Sequence, residues 1–234
     1  MFKTPQTAGW SKKAEVTSAR ILDVALDLFR RRGFEQTTMR EIAAKAGVSL
    51  GSAYYYFDSK EDLVMAFYEQ AIEAMAPRME ETLAGATSFE ERIAGILAVK
   101  FEYFQPNRSF LGALLRHAAD PENRLSPFSA ATRHIRERDQ MYFARAIAAK
   151  PGGVRVPEDL APFVPRMLWL YQMGLILHWI YDRSPGQRRT HALREKSLAL
   201  LVSGLKLSGF ALAKPLRSKI VELIALLEEG QDGA

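Results

Sequence analysis

The chain has 234 residues, 48% of them apolar and 25% charged, a balance that supports one large core or two small ones and excludes a disordered or fibrous chain. A formal charge of +5 and a pI near 9.4 favour a polyanionic partner, and ten Lys and Arg stand against six Asp and Glu in residues 1–60, so nearly all the excess lies in the first quarter. Cysteine is absent, which excludes disulfides, thiolate metal sites and Cys nucleophiles and makes a cytoplasmic location the expectation.

Residues 1–16 are polar, carry three lysines and no apolar stretch, and read as a flexible arm, not a secretory signal. Ile21, Leu22, Ala25, Leu28 and Phe29 then recur at helical spacing, and the basic turn Arg30, Arg31 and Arg32 followed by Gly33 ends a first helix. Thr38 and Glu41 match a capping box ahead of Ile42, Ala43 and Ala46, which predicts a short second helix. Gly47 is placed to take positive φ at a sharp turn, Ser49 is an N-cap, and residues 50–57 form a third helix. Residues 58–62 open a fourth, with acidic residues in its first turn where the helix dipole favours them.

Helix, tight glycine turn and helix at these spacings make the arrangement by which a recognition helix enters the major groove, although a plain corner in a helical core shares it. Ala53 and Phe57 lie four apart and face inward with Val48, leaving Ser52, Tyr55 and Tyr56 on other faces. Three consecutive tyrosines cannot all be core; each phenol needs a partner or water, and a phosphate-lined groove offers acceptors while the rings pack on sugars and thymine methyls. Tyr54 is either part of that contact or support packing.

Beyond Leu63 the pattern stays helical, with breakers at Pro77, Gly85, Pro106, Pro121, Pro127, residues 151–153, Pro185-Gly186 and Pro215, and with neither β-alternation nor an internal repeat. Ser88 and Glu91 form a second capping box opening a helix to about Phe104; further helices are predicted over 108–118, 128–149, 158–182, 187–208 and 216–229. Residues 163–181 are apolar enough to suggest a membrane span, but Pro165, Arg166, Gln172 and His178 interrupt the run, so a buried helix is expected. Helix 158–182 is apolar nearly all round and needs cover on more than one side. Helix 187–208, through Leu193, Leu198, Leu201 and Leu205, supplies part; a homodimer through 158–182 and 187–208 supplies the rest, with Gly174 and Gly204 permitting close approach.

Residues 37–63, with Thr37, Thr38, Arg40, Glu41, Ile42, Ala43, Ala46, Gly47, Val48, Ser49, Tyr54, Tyr55, Tyr56, Phe57, Lys60 and Leu63, closely resemble the signature of the TetR family of bacterial transcriptional regulators (TetR/AcrR-type). The resemblance covers about residues 17–65 without a gap; Ala53 departs from it, since a larger apolar residue usually stands there, implying looser packing beneath the recognition helix. It implies an all-α fold: an N-terminal three-helix helix-turn-helix DNA-binding domain with its arm over 1–64, then a larger helical ligand-binding and dimerisation domain over 65–234. It also implies a cytoplasmic, ligand-responsive repressor that binds a double-stranded DNA operator as a dimer and is released by a small apolar or aromatic effector. Arg40, Ser49, Leu50, Ser52, Tyr54, Tyr55, Tyr56 and Lys60 are the DNA-binding candidates. Lys60, at a helix N-terminus, matches a family lysine that contacts phosphate, and Arg40 is either a groove contact able to read guanine or a solvated charge.

The effector candidates are Phe104, Phe110, Trp169, Gln172, Met173 and His178; aromatic and Met residues at helical spacing are equally core residues, and His178 and Gln172 are either hydrogen-bonded core groups or polar anchors of a pocket. Enzyme signatures are missing: no GxSxG, HExxH, P-loop or dinucleotide turn occurs, no cofactor is implied, and His134 with Glu137, three apart, reads as a solvated face and not a metal site. The alternative, a helical adaptor or membrane-surface protein, explains the apolar helices and leaves the tyrosine run without a reason.

Overall fold

A computed structural model describes residues 11–115, 120, 123–150 and 152–229, and among these the chain is helical, with no strand. Ten α-helices follow one another: α1 (Lys12–Arg32), α2 (Met39–Lys45), α3 (Leu50–Tyr56), α4 (Lys60–Gly85), α5 (Phe89–Phe104), α6 (Arg108–Leu115), α7 (Arg133–Ala148), α8 (Val164–Tyr181), α9 (Arg188–Ser208) and α10 (Lys214–Glu229). The described residues up to Ala74 with 103–135 form one compact unit, and those of 75–102 with 136–229 form another. α4, α5 and α7 each contribute residues to both units.

In the first unit, local rules decide the ends of elements. Ser11 Oγ accepts from the Ala14 N–H at 3.3 Å, so α1 starts at Lys12 and absorbs residues 12–16, which were expected in a flexible arm. The capping box at α2 is complete: Glu41 N–H donates to Thr38 Oγ1 at 3.2 Å, and the Thr38 N–H donates to Glu41 Oε2 at 2.9 Å. Gly47, at φ 66°, lets the chain reverse so that Val48 N–H reaches the Ala43 carbonyl at 3.0 Å. Ile21, Ala25 and Phe29 of α1, Ile42 of α2, Ala53 of α3 and Leu63 of α4 are buried in one cluster, where Phe29 stacks on Phe110 at 5.3 Å and Phe67 meets Phe110 edge-on at 5.7 Å. Ala53 is wholly sealed from solvent.

Further along the chain, helix ends depart from expectation. Pro77 was expected to interrupt a helix and instead lies within α4. The helix predicted from 128 begins at Arg133, because residues 123–132 satisfy their backbone with side chains: Thr132 Oγ1 donates to the Ser126 carbonyl at 2.7 Å, and Ser129 Oγ to that of Arg124 at 3.1 Å. The helix predicted from 158 begins at Val164, where Pro165 occupies the first turn and lacks only an N–H that would have no helical partner. Pro215 likewise lies in the first turn of α10. Residues 116–118 of the expected sixth helix lie outside the described residues.

Arg92, 1% exposed, donates to the Ala86 carbonyl at 3.0 Å. α8 packs on α9, and α10 leaves α9 across a sharp bend fixed by Arg217, which donates to the Ser208 carbonyl at 2.6 Å and pairs with Asp159 at 2.7 Å. Among the described residues no single helix is long and apolar enough to cross a membrane.

Candidate nucleic-acid interface

α3 has seven residues, and its inward side is closed by Ala53 with the following Phe57. Everything else on it faces outward or lies at the margin. Tyr55 is 73% and Tyr54 46% exposed, so Tyr54 is not core packing; Tyr56 is half-buried and sets its ring edge-on to Tyr55 at 5.1 Å. Ser49 Oγ is engaged as the N-cap, accepting from Ser52 N–H at 3.1 Å, while Leu50 and Ser52 are half-buried beside the turn. Two exposed phenols on a short helix with a closed back form a platform with hydroxyls to donate and ring faces to stack.

The helices around this platform are braced by charge. Lys45 pairs with Asp27 at 2.5 Å and Arg31 with the same carboxylate at 2.8 Å, tying α2 to α1; Lys45 foremost, then Arg31, holds Asp27 below the usual carboxylate range. The Thr38 N–H and hydroxyl, assisted by Arg32 at 2.7 Å, hold Glu41 low as well. Arg40 stands exposed on α2. Lys60, expected to present its ammonium to phosphate, donates to the Phe34 carbonyl at 2.8 Å and lies 4.6 Å over the Phe34 ring. It therefore also fastens the loop after α1, a role its position in the sequence gave no sign of.

The effector candidates divide between the two units. Phe110, 1% exposed, and Phe104, edge-on to Phe67 at 6.1 Å, belong to the first unit's aromatic core, whereas Trp169, Gln172, Met173 and His178 lie on α8 in the second. His178 is on an exposed side of α8 and shares a 3.0 Å hydrogen bond with Thr190 Oγ1; since that hydroxyl donates to Asp182 at 2.8 Å, the histidine Nδ1 is the donor. Asp182 is held well below the carboxylate range: desolvation, the largest influence, raises it, but hydrogen bonds from Ser184 and Thr190 together outweigh that. Trp169 and Gln172 are buried.

Joined to Gln172 are two residues the sequence reading passed over. Lys100, 4% exposed, pairs with Asp139 at 2.6 Å, and Gln172 Nε2 donates to the other oxygen of that carboxylate at 3.2 Å. The signal existed: Lys100 follows Ile93, Ile96 and Leu97 at helical spacing and so falls on the buried side of α5. His134, read as part of a solvated HxxE face, pairs with Glu69 of α4.

The model of bacterial regulatory proteins of the tetR family matches residues 21–67, and that of a tetracyclin repressor-like C-terminal domain matches residues 92–224. The HTH-type transcriptional repressor KstR2 of Mycolicibacterium smegmatis is 35% identical over 82 residues, 35% of this chain and 40% of that protein. The HTH-type transcriptional regulator RutR of Escherichia coli is 36% identical over 113 residues, 46% of this chain and 53% of that one. The chain thus spans about half the length of the curated relatives it matches. Among solved structures, the transcriptional regulator FadR from Bacillus subtilis in complex with stearoyl-CoA superposes with a TM-score of 0.61 at 20% identity, covering 80% of this chain and 98% of that one, a likeness of fold.

Proposed function

The chain belongs to the tetR family of bacterial regulatory proteins, and from that premise we propose that it is a repressor that binds a palindromic operator as a dimer and is released by a small, largely apolar effector. The observation that carries the DNA-binding part is α3: its back is closed by Ala53 and Phe57, and its front offers Tyr54 and Tyr55. Tyr54, Tyr55 and Tyr56 reach the groove, Arg40 reads or flanks it, and Lys60 meets a phosphate beside the carbonyls it already holds. Ser49, Leu50 and Ser52 line the approach at the start of α3. The repressor role of KstR2 supports repression, and the stearoyl-CoA held by FadR supports an apolar effector.

The dimer uses α8 and α9. Met167, Leu170, Leu177 and Tyr181 run along the outward side of α8, and Leu193, Leu200 and Leu207, seven apart, along that of α9; all are exposed in the single chain. Gly174 and Gly204 lie between them with open space where a Cβ would stand. In the dimer two recognition helices fit successive major grooves about 34 Å apart, and effector favours a spacing that does not fit. To invert a 99:1 preference, the effector must bind the released state roughly 10⁴-fold more tightly.

Selection of bound duplexes from a random pool, followed by a compound screen for release, tests both halves. Recovered palindromes whose binding falls steeply with salt support the reading. No enrichment of any duplex overturns it in favour of a helical adaptor.

A further inference from the structure

Gln172 lies on the most apolar helix of the second unit, one turn from Leu168, Leu175 and Trp169, and is 2% exposed. Its amide orientation is set by its neighbour: a carboxylate only accepts, so Nε2 faces Asp139 Oδ2 at 3.2 Å and Oε1 points away. That Oε1 is buried and meets no donor among the described residues. The other oxygen of the same carboxylate holds Lys100 at 2.6 Å, which takes one of three ammonium protons. Buried acceptors in native proteins have partners, so an open one is a place where a water or a ligand group can sit.

We propose that Gln172, Asp139 and Lys100 form the polar end of the effector site and select a neutral head group that carries an N–H or O–H beside a carbonyl-type acceptor. The inference rests on the effector-binding reading above and names the chemistry of its ligand. Lys100 and Asp139 cancel in charge, so the cluster as a whole attracts neither a free carboxylate nor a cation. A carboxylate would set its negative oxygens against Gln172 Oε1 and Asp139; an ammonium would meet Lys100. A lactam, a primary amide or a hydroxy-ketone meets both ends: its donor goes to Gln172 Oε1, its carbonyl accepts from Lys100 Nζ, and its apolar body lies along Leu168, Trp169 and Leu175.

Three compounds of similar size separate the possibilities when titrated calorimetrically into the full-length protein: carbostyril, whose lactam N–H adjoins its carbonyl; N-methylcarbostyril, which keeps the carbonyl and lacks the donor; and naphthoate, which carries a carboxylate. Carbostyril is expected to bind at least about tenfold more tightly than either, the value of one hydrogen bond in a buried site. Gln172→Met should bring the carbostyril to N-methylcarbostyril ratio to about one. If that variant does not fold by circular dichroism, the discrimination by the parent protein decides alone. Equal binding of all three, or a preference that survives Gln172→Met, overturns the assignment and means that water completes Gln172; effector binding as such then stands. Binding by none of the three overturns the effector-site reading together with it.

Discussion

On α1 to α3 the aliphatic residues at helical spacing are mostly buried; on α8 and α9 many leucines stand exposed. α1 to α3 bury Ile21, Phe29, Ile42 and Ala53 and expose their charges, and each helix is opened by its neighbour Ser11, Thr38 or Ser49. In α8 and α9 Leu170, Leu177, Leu200 and Leu207 are exposed, while Gln172, and Lys100 on α5, are buried. A chain that folds alone places most apolar groups inside, so the exposed leucines and the buried amide are the features for which a second copy and a ligand are proposed. For the first unit the proposed partner is DNA.

The comparison breaks first at α9. Leu200 is 74% and Leu207 62% exposed within the chain, so replacing both by Asp should leave each subunit folded. If they form the seam between subunits, each unpaired carboxylate costs several kcal/mol on association. The double variant should sediment as a monomer at micromolar concentration and lose more than about a hundredfold in operator affinity. A variant that remains dimeric returns those leucines to ordinary surface. Leu201, read from the sequence as the buried partner, is half-buried within the chain and is the weaker probe.

A smaller effect tests the first unit. Tyr55→Ala removes the most exposed phenol of α3 and should weaken operator binding about tenfold with an unchanged melting temperature. Lys60→Ala should lower the slope of log affinity against log salt by about one, the signature of one phosphate contact, and should also lower the melting temperature, because the Phe34 carbonyl loses one of its donors and keeps only the Thr37 N–H at 3.3 Å among those described. Gel shifts over a salt series with parallel thermal melts separate the roles. Operator binding indistinguishable from the parent in the Tyr55 variant removes that residue from the interface.

How much of this was legible depends on how far apart in the chain the interacting groups lie. Thr38, Glu41, Gly47 and Ser49 act on backbone within a few residues, so the order of letters specified the helix-turn-helix to within a residue or two. Where the later helices start depends on competition that neighbouring letters show poorly: Thr132 and Ser129 bind carbonyls of a preceding turn, and Pro165 permits a start at Val164. Burial of Phe110 against Phe29 joins residues 81 positions apart, which no periodicity reports, and so an aromatic expected in a pocket is core of the first unit. Lys100 was visible as a charge on a buried register; that Asp139, from another helix, would meet it was not.

The smallest effect compares the two capping boxes, one in each unit. Glu41 is held below its ordinary carboxyl value by the Thr38 N–H and hydroxyl, and Glu91 by those of Thr87 and then the Ser88 N–H. A carboxyl whose folded value is depressed contributes stability that is present above its unfolded value, here 4.5 for each, and lost as pH falls through the folded one. Glu41→Gln and Glu91→Gln should therefore each melt a few degrees below the parent at neutral pH, roughly what a weakened cap costs, and converge on it in acid. The two differ in their second readout. Glu41 also engages Arg32 at the start of the helix that braces α3, so its variant should lose operator affinity as well, by a few-fold, whereas the Glu91 variant should bind DNA as the parent does. Melting by circular dichroism across the acid range, with gel shifts at neutral pH, checks both. If Glu91→Gln weakens DNA binding as much as Glu41→Gln, cap stability reaches the operator from either unit, and the division drawn between a DNA-binding first unit and a partner-seeking second one does not hold.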